Sequence, residues 1–160
     1  MNDRVATPTL IDLTSLAGGA IDGHVIAVLE RAGYPGLRVR HGYVVQRLLA
    51  GDRTVTELAR SLEVTQQAMS KTVAELERLG YIGREADPAD ARRRSLALTP
   101  RGIEALETAR RARADLMRRV RSAAGAERVQ AAEDAMRAIL DALGLGGRVD
   151  GRAVPDPTTP

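Results

Sequence analysis

The chain has 160 residues, 44% of them hydrophobic, which is enough for one domain with a moderate core. Aromatics make up only 2%, with no Phe and no Trp, so the core must be packed from Leu, Val, Ile and Ala. The formal charge is +3 and the pI about 9.9; nearly all the base is arginine, with Lys71 the sole lysine. The lack of cysteine excludes disulfides and thiol-based redox chemistry. No stretch reads as apolar for long enough to span a bilayer, and no charged segment followed by an apolar run opens the chain, so a cytoplasmic location is expected.

Residues 1–9 read as polar and contain Pro8, and 1–11 are expected to be a flexible N-terminus. A helical pattern runs over 12–33, with Ile21, Val25, Val28, Leu29 and Ala32 on one side. Gly18 and Gly19 weaken its first half and favour a start after them. The Gly33-Tyr34-Pro35-Gly36 run is a break, because the residue before a proline is biased out of the helix. A helix over 39–49 follows, with Tyr43, Val44 and Leu48 at helical spacing, closed by Gly51-Asp52.

From residue 53 to 102 the pattern changes to short segments linked by tight turns. Thr54 and Glu57 form a capping box, in which the threonine accepts from the amide three residues on and the glutamate reaches back. Glu63-Val64-Thr65 interrupts the pattern, and Thr65 suits the N-cap of a second helix ending at Leu79-Gly80. Met69, Val73 and Leu76 fall on its inner face, whereas Gln66, Gln67, Ser70, Lys71 and Ala74 fall on the outer one. Any amphipathic surface helix shares that periodicity. This one, however, carries no acid at the N-terminal end of its outer face, and Gln and Lys there can bond to base edges in a DNA major groove.

Two short strands, 82–86 and 95–98, are then expected around the turn-forming cluster Asp87-Pro88-Ala89-Asp90-Ala91. Arg92, Arg93 and Arg94 lie near the tip of this hairpin, where three adjacent guanidiniums need either solvent or a polyanion. Arginine suits a narrow minor groove. After the hairpin, Thr99 can cap a long helix with Pro100 at its first position, and Ile103, Leu106, Ala109, Leu116, Met117 and Val120 form its apolar stripe. Gly125 separates a last helix bearing Val129, Met136, Ile139, Leu140 and Leu143, and the Gly- and Pro-rich segment 144–160 is expected to be disordered.

These residues resemble the MarR family of winged helix-turn-helix transcriptional regulators. The likeness is carried by Glu57-Leu58-Ala59, by Thr65-Gln66-Gln67 with Ser70-Lys71, and by Leu79-Gly80-Tyr81-Ile82. It is carried most specifically by Asp87-Pro88-Ala89-Asp90-Ala91-Arg92 and by Leu96-Ala97-Leu98-Thr99-Pro100-Arg101-Gly102. Asp90 and Arg92 match the family's Asp-x-Arg wing signature, whose arginine enters the minor groove; Ala91 departs from it, standing where many members are basic. The resemblance implies a mainly α fold with a small β-wing: one domain over 12–143, a winged helix-turn-helix core at 39–101, and dimerisation helices at 12–33 and 100–143. It further implies a homodimer on a palindromic operator in double-stranded DNA, acting as a repressor relieved by a small aromatic or anionic ligand. The apolar stripes of the flanking helices point to the dimer independently, although a monomeric bundle in which they cover each other would use the same stripes.

On this reading the DNA contacts fall to Thr65, Gln66, Gln67, Ser70 and Lys71 on the helix, and to Asp90, Arg92, Arg93 and Arg94 on the wing. His24, Tyr34, Arg38, His41 and Tyr43 lie on or beside the segments that would line an effector pocket, although ordinary polar packing would use the same residues. No catalytic residue, cofactor or metal is expected, because His24 and His41 lack partners at ligand spacing and no nucleophile elbow or phosphate loop is present. The alternatives are a ligand-independent architectural DNA binder and a protein-interaction module on the same fold. Acids on the reading helix, or a wing without base, would mark the module.

Overall fold

The computed structural model describes residues 7–86 and 94–146. The elements run α1 (Leu10–Arg31), α2 (Val39–Leu49), α3 (Val55–Ser61), α4 (Gln66–Arg78), β1 (Ile82–Ala86), β2 (Arg94–Leu98), α5 (Pro100–Ala124) and α6 (Ala126–Ala142). This is the expected mainly α fold with a two-stranded antiparallel wing.

The first helix begins earlier than its glycines suggest. Thr9 and Asp12 form a capping box, the threonine amide donating to the Asp12 carboxylate at 2.8 Å, and the helix runs unbroken through Gly18 and Gly19. The Thr9 hydroxyl, which donates to the same carboxylate at 2.7 Å, and after it the Thr9 amide hold the Asp12 carboxyl below its ordinary pKa. The cap satisfies first-turn amides, and this favours a start at Leu10 over one past the glycines. Residues 10 and 11, expected to be flexible, are therefore helical. At the other end, Gly144 and Leu145 bond back to Asp141 and Leu140, so an ordered turn follows α6 where a disordered tail was expected to begin. Contrary to the sequence expectation, α1 is long and apolar enough by length and composition to cross a membrane, having 22 residues and a mean hydropathy of 1.2 over its best window. Its second half instead packs in the core through Val25 and Leu29, and Asp22 pairs with Arg113 of α5 at 3.1 Å.

The core lies where α1, α2, the helix-turn-helix and the wing converge. Leu58 and Leu76 are fully buried, and Val44, Val73, Tyr81 and Leu96 nearly so. They come from α2, α3, α4 and the wing, none of which can cover its own apolar face, so the elements are stable only together. The wing pairs Ile82 with Leu98 and Ala86 with Arg94. Its free edge is held by one further bond, from the Leu96 amide to the Arg53 carbonyl at 2.8 Å, which fixes the hairpin to the start of the helix-turn-helix.

The passage from wing to α5 is built on contact with the backbone. Thr99 donates its amide to the Tyr81 carbonyl (3.1 Å) and its hydroxyl to the Gly80 carbonyl (2.6 Å), and its hydroxyl oxygen caps Gly102 at 3.1 Å. A Cβ at Gly102 would collide with the Tyr81 carbonyl oxygen, so only glycine lets α5 approach this closely.

Candidate nucleic-acid interface

The reading head is shaped by two caps and one left-handed residue. Thr54 accepts from the Glu57 amide (3.2 Å), while the Glu57 carboxylate accepts from the Arg53 and Thr54 amides at 2.8 and 2.9 Å. These bonds, the one from Arg53 foremost, hold the Glu57 carboxyl below its ordinary pKa. Glu63 then turns the chain at φ 56°, and Thr65 caps α4 by accepting from Ala68 at 3.1 Å. A non-glycine residue at positive φ is uncommon, and here the packing of α3 on α4 imposes it.

The outer face of α4 is as the sequence implies. Met69, Val73 and Leu76 point inward, while Thr65, Gln66, Gln67, Ser70 and Lys71 are all exposed. Among these, Gln67, Ser70 and Lys71 are the freest to meet a base edge. Thr65 uses its hydroxyl as the cap, and Gln66 donates to the Thr56 hydroxyl at 3.3 Å, so both also order the turn. No acid stands in the first turn of α4, leaving its positive dipole end unopposed.

On the wing, Arg94 is exposed and donates to the Arg84 carbonyl at 3.2 Å. It sits in the strand, paired with Ala86, rather than at the tip. Asp90, Arg92 and Arg93 lie outside the described residues. Sequence reasoning passed over Arg84, an exposed wing cation whose Nε donates to Glu77 of α4 at 2.8 Å and so braces the wing against the helix.

A cavity of about 520 Å³ lies behind the reading head, between α1, α2 and α5. Its walls are mostly apolar, with Ile26, Leu29, Leu37 and Leu106 among them, and Arg38, His41 and Tyr43 also line it. Two of the five residues named for a pocket are placed elsewhere. Tyr34 donates to Glu104 (3.2 Å) and stacks against the Arg101 guanidinium, and His24 is half-buried on α1 away from the lining. Among the described residues no cluster of His, Asp or Glu is placed to hold a metal.

One wall of the cavity carries a charge cluster that sequence reasoning did not see as a unit. Glu75 of α4 accepts from Arg40 at 2.7 Å and from His41 Nε2 at 3.3 Å, and pairs with Arg38 at 3.3 Å. His41 is almost wholly buried, and its Nδ1 accepts from the Arg38 amide at 3.2 Å. The neutral ring must therefore carry its hydrogen on Nε2 and donate it to Glu75. Burial pushes the His41 pKa down against the pull of Glu75, and the Arg40 hydrogen bond is the largest influence holding Glu75 low. The partners lie more than 30 residues from Glu75 and on a different helix, so no local pattern announces them.

Comparison with known proteins agrees with this geometry. The MarR family's sequence pattern matches residues 36–93, which span α2, the helix-turn-helix and the start of the wing. No curated protein matches the chain. Among solved structures, a MarR family transcription regulator superposes with a TM-score of 0.67 at 20% identity, covering 87% of this chain and 91% of its own. Staphylococcus aureus MepR bound to ethidium bromide gives 0.62 at 22% identity, covering 85% and 97%. The MepR–DNA complex gives 0.61 at 21%, covering 84% and 96%. The likeness of fold thus runs well beyond the segment matched in sequence. The match to the MarR family's pattern covers the winged helix-turn-helix segment, and the solved structures carry the likeness of fold over the rest of the chain.

Proposed function

We propose that the chain is a sequence-specific DNA-binding transcriptional regulator of the cytoplasm, a homodimeric repressor released by a small aromatic or anionic ligand. The observation that carries the DNA reading is the exposed, acid-free N-terminal half of α4, with Gln67, Ser70 and Lys71 projecting from a helix whose other face is locked in the core. MepR, which shares the fold, has been solved on an oligodeoxyribonucleotide and with ethidium bromide, and this supports both a DNA partner and a ligand. The dimer rests on apolar side chains that the subunit leaves uncovered. Leu10, Ile11, Leu13 and Leu16 of α1 and Ile103 and Val120 of α5 are all exposed. A two-fold partner covering them would set two α4 helices on successive turns of a palindromic site.

Selection of duplexes by the purified chain from random DNA tests the proposal. A palindromic consensus is expected, and Gln67→Ala should weaken binding to it by about 1 to 3 kcal/mol with much less effect on random duplex. Recovery of no sequence preference would refute the reading.

A further inference from the structure

Two exposed side chains of the reading head are bonded to each other across the turn. Gln66, the first residue of α4, donates from Nε2 to the Thr56 hydroxyl oxygen of α3 at 3.3 Å. Thr56 is exposed, and so is Arg60 four residues on, which places a hydroxyl and a guanidinium on one outer face of α3. Thr14, Thr72 and Thr108 each give their hydroxyl hydrogen to the carbonyl four residues back, at 2.7, 3.2 and 2.9 Å. Thr56 has no such outlet, because it is the second residue of α3 and Asp52 lies before the helix. Among the described residues, the one bond of its hydroxyl is the bond it accepts from Gln66.

When the second helix of such a motif lies in the major groove, the first crosses the sugar-phosphate backbone. Thr56 and Arg60 then face phosphate, whose oxygens only accept. A hydroxyl owns one hydrogen, so a threonine that gives it to phosphate has only lone pairs left for Gln66. The amide must therefore turn its nitrogen to Thr56, as it does in this structure; the flipped amide would set two acceptors against each other. What Gln66 keeps for a base is then defined. It has its carbonyl oxygen and one remaining amide hydrogen, an acceptor beside a donor. Adenine offers the complement on its major-groove edge, with N6 donating and N7 accepting. Guanine offers two acceptors, O6 and N7, and calls on both amide hydrogens, one of which Thr56 holds.

We infer, resting on the DNA-binding reading above, that Thr56 is the positioning residue that makes Gln66 a reader of adenine over guanine, by joining a backbone phosphate to the Gln66 amide. An untied glutamine at an exposed helix start is free to rotate and to flip, and so accepts either purine. The tie removes that freedom before DNA arrives, so less side-chain entropy is lost on binding. The run of bonds from phosphate through hydroxyl and amide to base also polarises each member.

The test uses the full chain and the duplex it selects from random DNA, with each base pair replaced in turn. The position read by Gln66 is the one at which Gln66→Ala loses discrimination and Gln67→Ala does not. There the wild type should bind the A·T duplex about ten-fold or more tightly than the G·C duplex. Placing 7-deazaadenine at that position removes the N7 acceptor, and should weaken the wild type but not Gln66→Ala. Thr56→Val keeps the shape and removes the hydroxyl. It should cut the preference for adenine over guanine to about three-fold or less at this position, and leave preferences elsewhere unchanged within about two-fold. Thr56→Ser, which keeps the hydroxyl, should retain the wild-type preference. The inference is overturned by an undiminished preference in Thr56→Val, even if affinity falls on every duplex, or by Thr56→Ser behaving as Thr56→Val. It is equally overturned if Gln66→Ala discriminates as the wild type does everywhere, or if the preferred base at its position is not adenine. In those cases the wild type still selects a duplex and the function above stands; a wild type that selects none overturns both.

Discussion

Replacing glycine with alanine should have opposite signs at two helical positions of this chain, and the structure sets the magnitudes. At Gly23, within α1, an added Cβ meets nothing within 4 Å. Alanine there removes backbone freedom from the unfolded chain and restores helix propensity, a gain of about 0.5 to 1 kcal/mol. At Gly102 the same gain is opposed by a collision with the Tyr81 carbonyl oxygen, and the Leu98 side chain stands only 3.3 Å from the new atom. The Leu98 methyl can give, but the Tyr81 carbonyl is backbone, in a residue that is almost wholly buried, and it already accepts from the Thr99 amide at 3.1 Å. Overpacking of this kind costs about 1 to 3 kcal/mol, and moving α5 away to relieve it gives up a hydrogen bond of about 1 kcal/mol. Gly102→Ala should therefore be net destabilising by about 2 kcal/mol, lowering the melting temperature by about 6 °C, while Gly23→Ala raises it by about 2 °C. Thermal unfolding followed by circular dichroism, at one protein concentration for all three chains, measures both. A Gly102→Ala chain as stable as the wild type would refute the account of how α5 docks on the wing.

Leu16 is the most exposed large apolar residue on α1, at 68%, so burying it in a dimer should contribute about 1.5 kcal/mol per copy. Leu16→Glu is then expected to raise the dimer dissociation constant by about 100-fold in sedimentation equilibrium, and an unchanged dimer would remove α1 from the interface. The His41 pKa is lowered from 6.5 and that of Glu75 from 4.5, so the unfolded chain takes up protons first at both. Their stability contribution is full above pH 6.5, declines below it as the His41 share is lost, and falls further below 4.5. Urea unfolding that is equally stable at neutral pH and in the acid range would contradict that cluster. On the wing, Arg92→Ala should lower the magnitude of the salt dependence of duplex binding by about one. If, as we propose from their spacing in the sequence, the Asp90 carboxylate serves to orient Arg92, Asp90→Ala should weaken binding even though it removes a negative charge; tighter binding by Asp90→Ala in a salt titration would show that it only repels DNA.

What the sequence determined by itself is whatever depends on neighbours a few residues apart. The Thr54 and Glu57 cap, the Thr99-Pro100 helix start, the break around Pro35 and the inward spacing of Met69, Val73 and Leu76 are all present as read. Each is a matter of backbone amides within one turn or of side chains on one helical face, and such interactions need no tertiary context. Where two local signals compete, the outcome is less legible. The Thr9 and Asp12 cap opens α1 well ahead of Gly18 and Gly19, and the helix runs through both despite their low helix propensity.

Tertiary structure alone decided which side chains converge. His24 and Tyr34 share the residue types and the neighbourhood of His41 and Tyr43, yet only the latter pair lines the cavity. Tyr34 is drawn instead to Arg101 and Glu104, nearly 70 residues on. Glu75 reads in the sequence as one more acid on an amphipathic helix, whereas the packing of α4 against α2 delivers two arginines and a buried histidine to it. Helical periodicity specifies the face on which a residue stands but not which element will lie opposite. That is set by how helices cross once their apolar faces are buried together, a property of the whole chain that no window of the sequence contains.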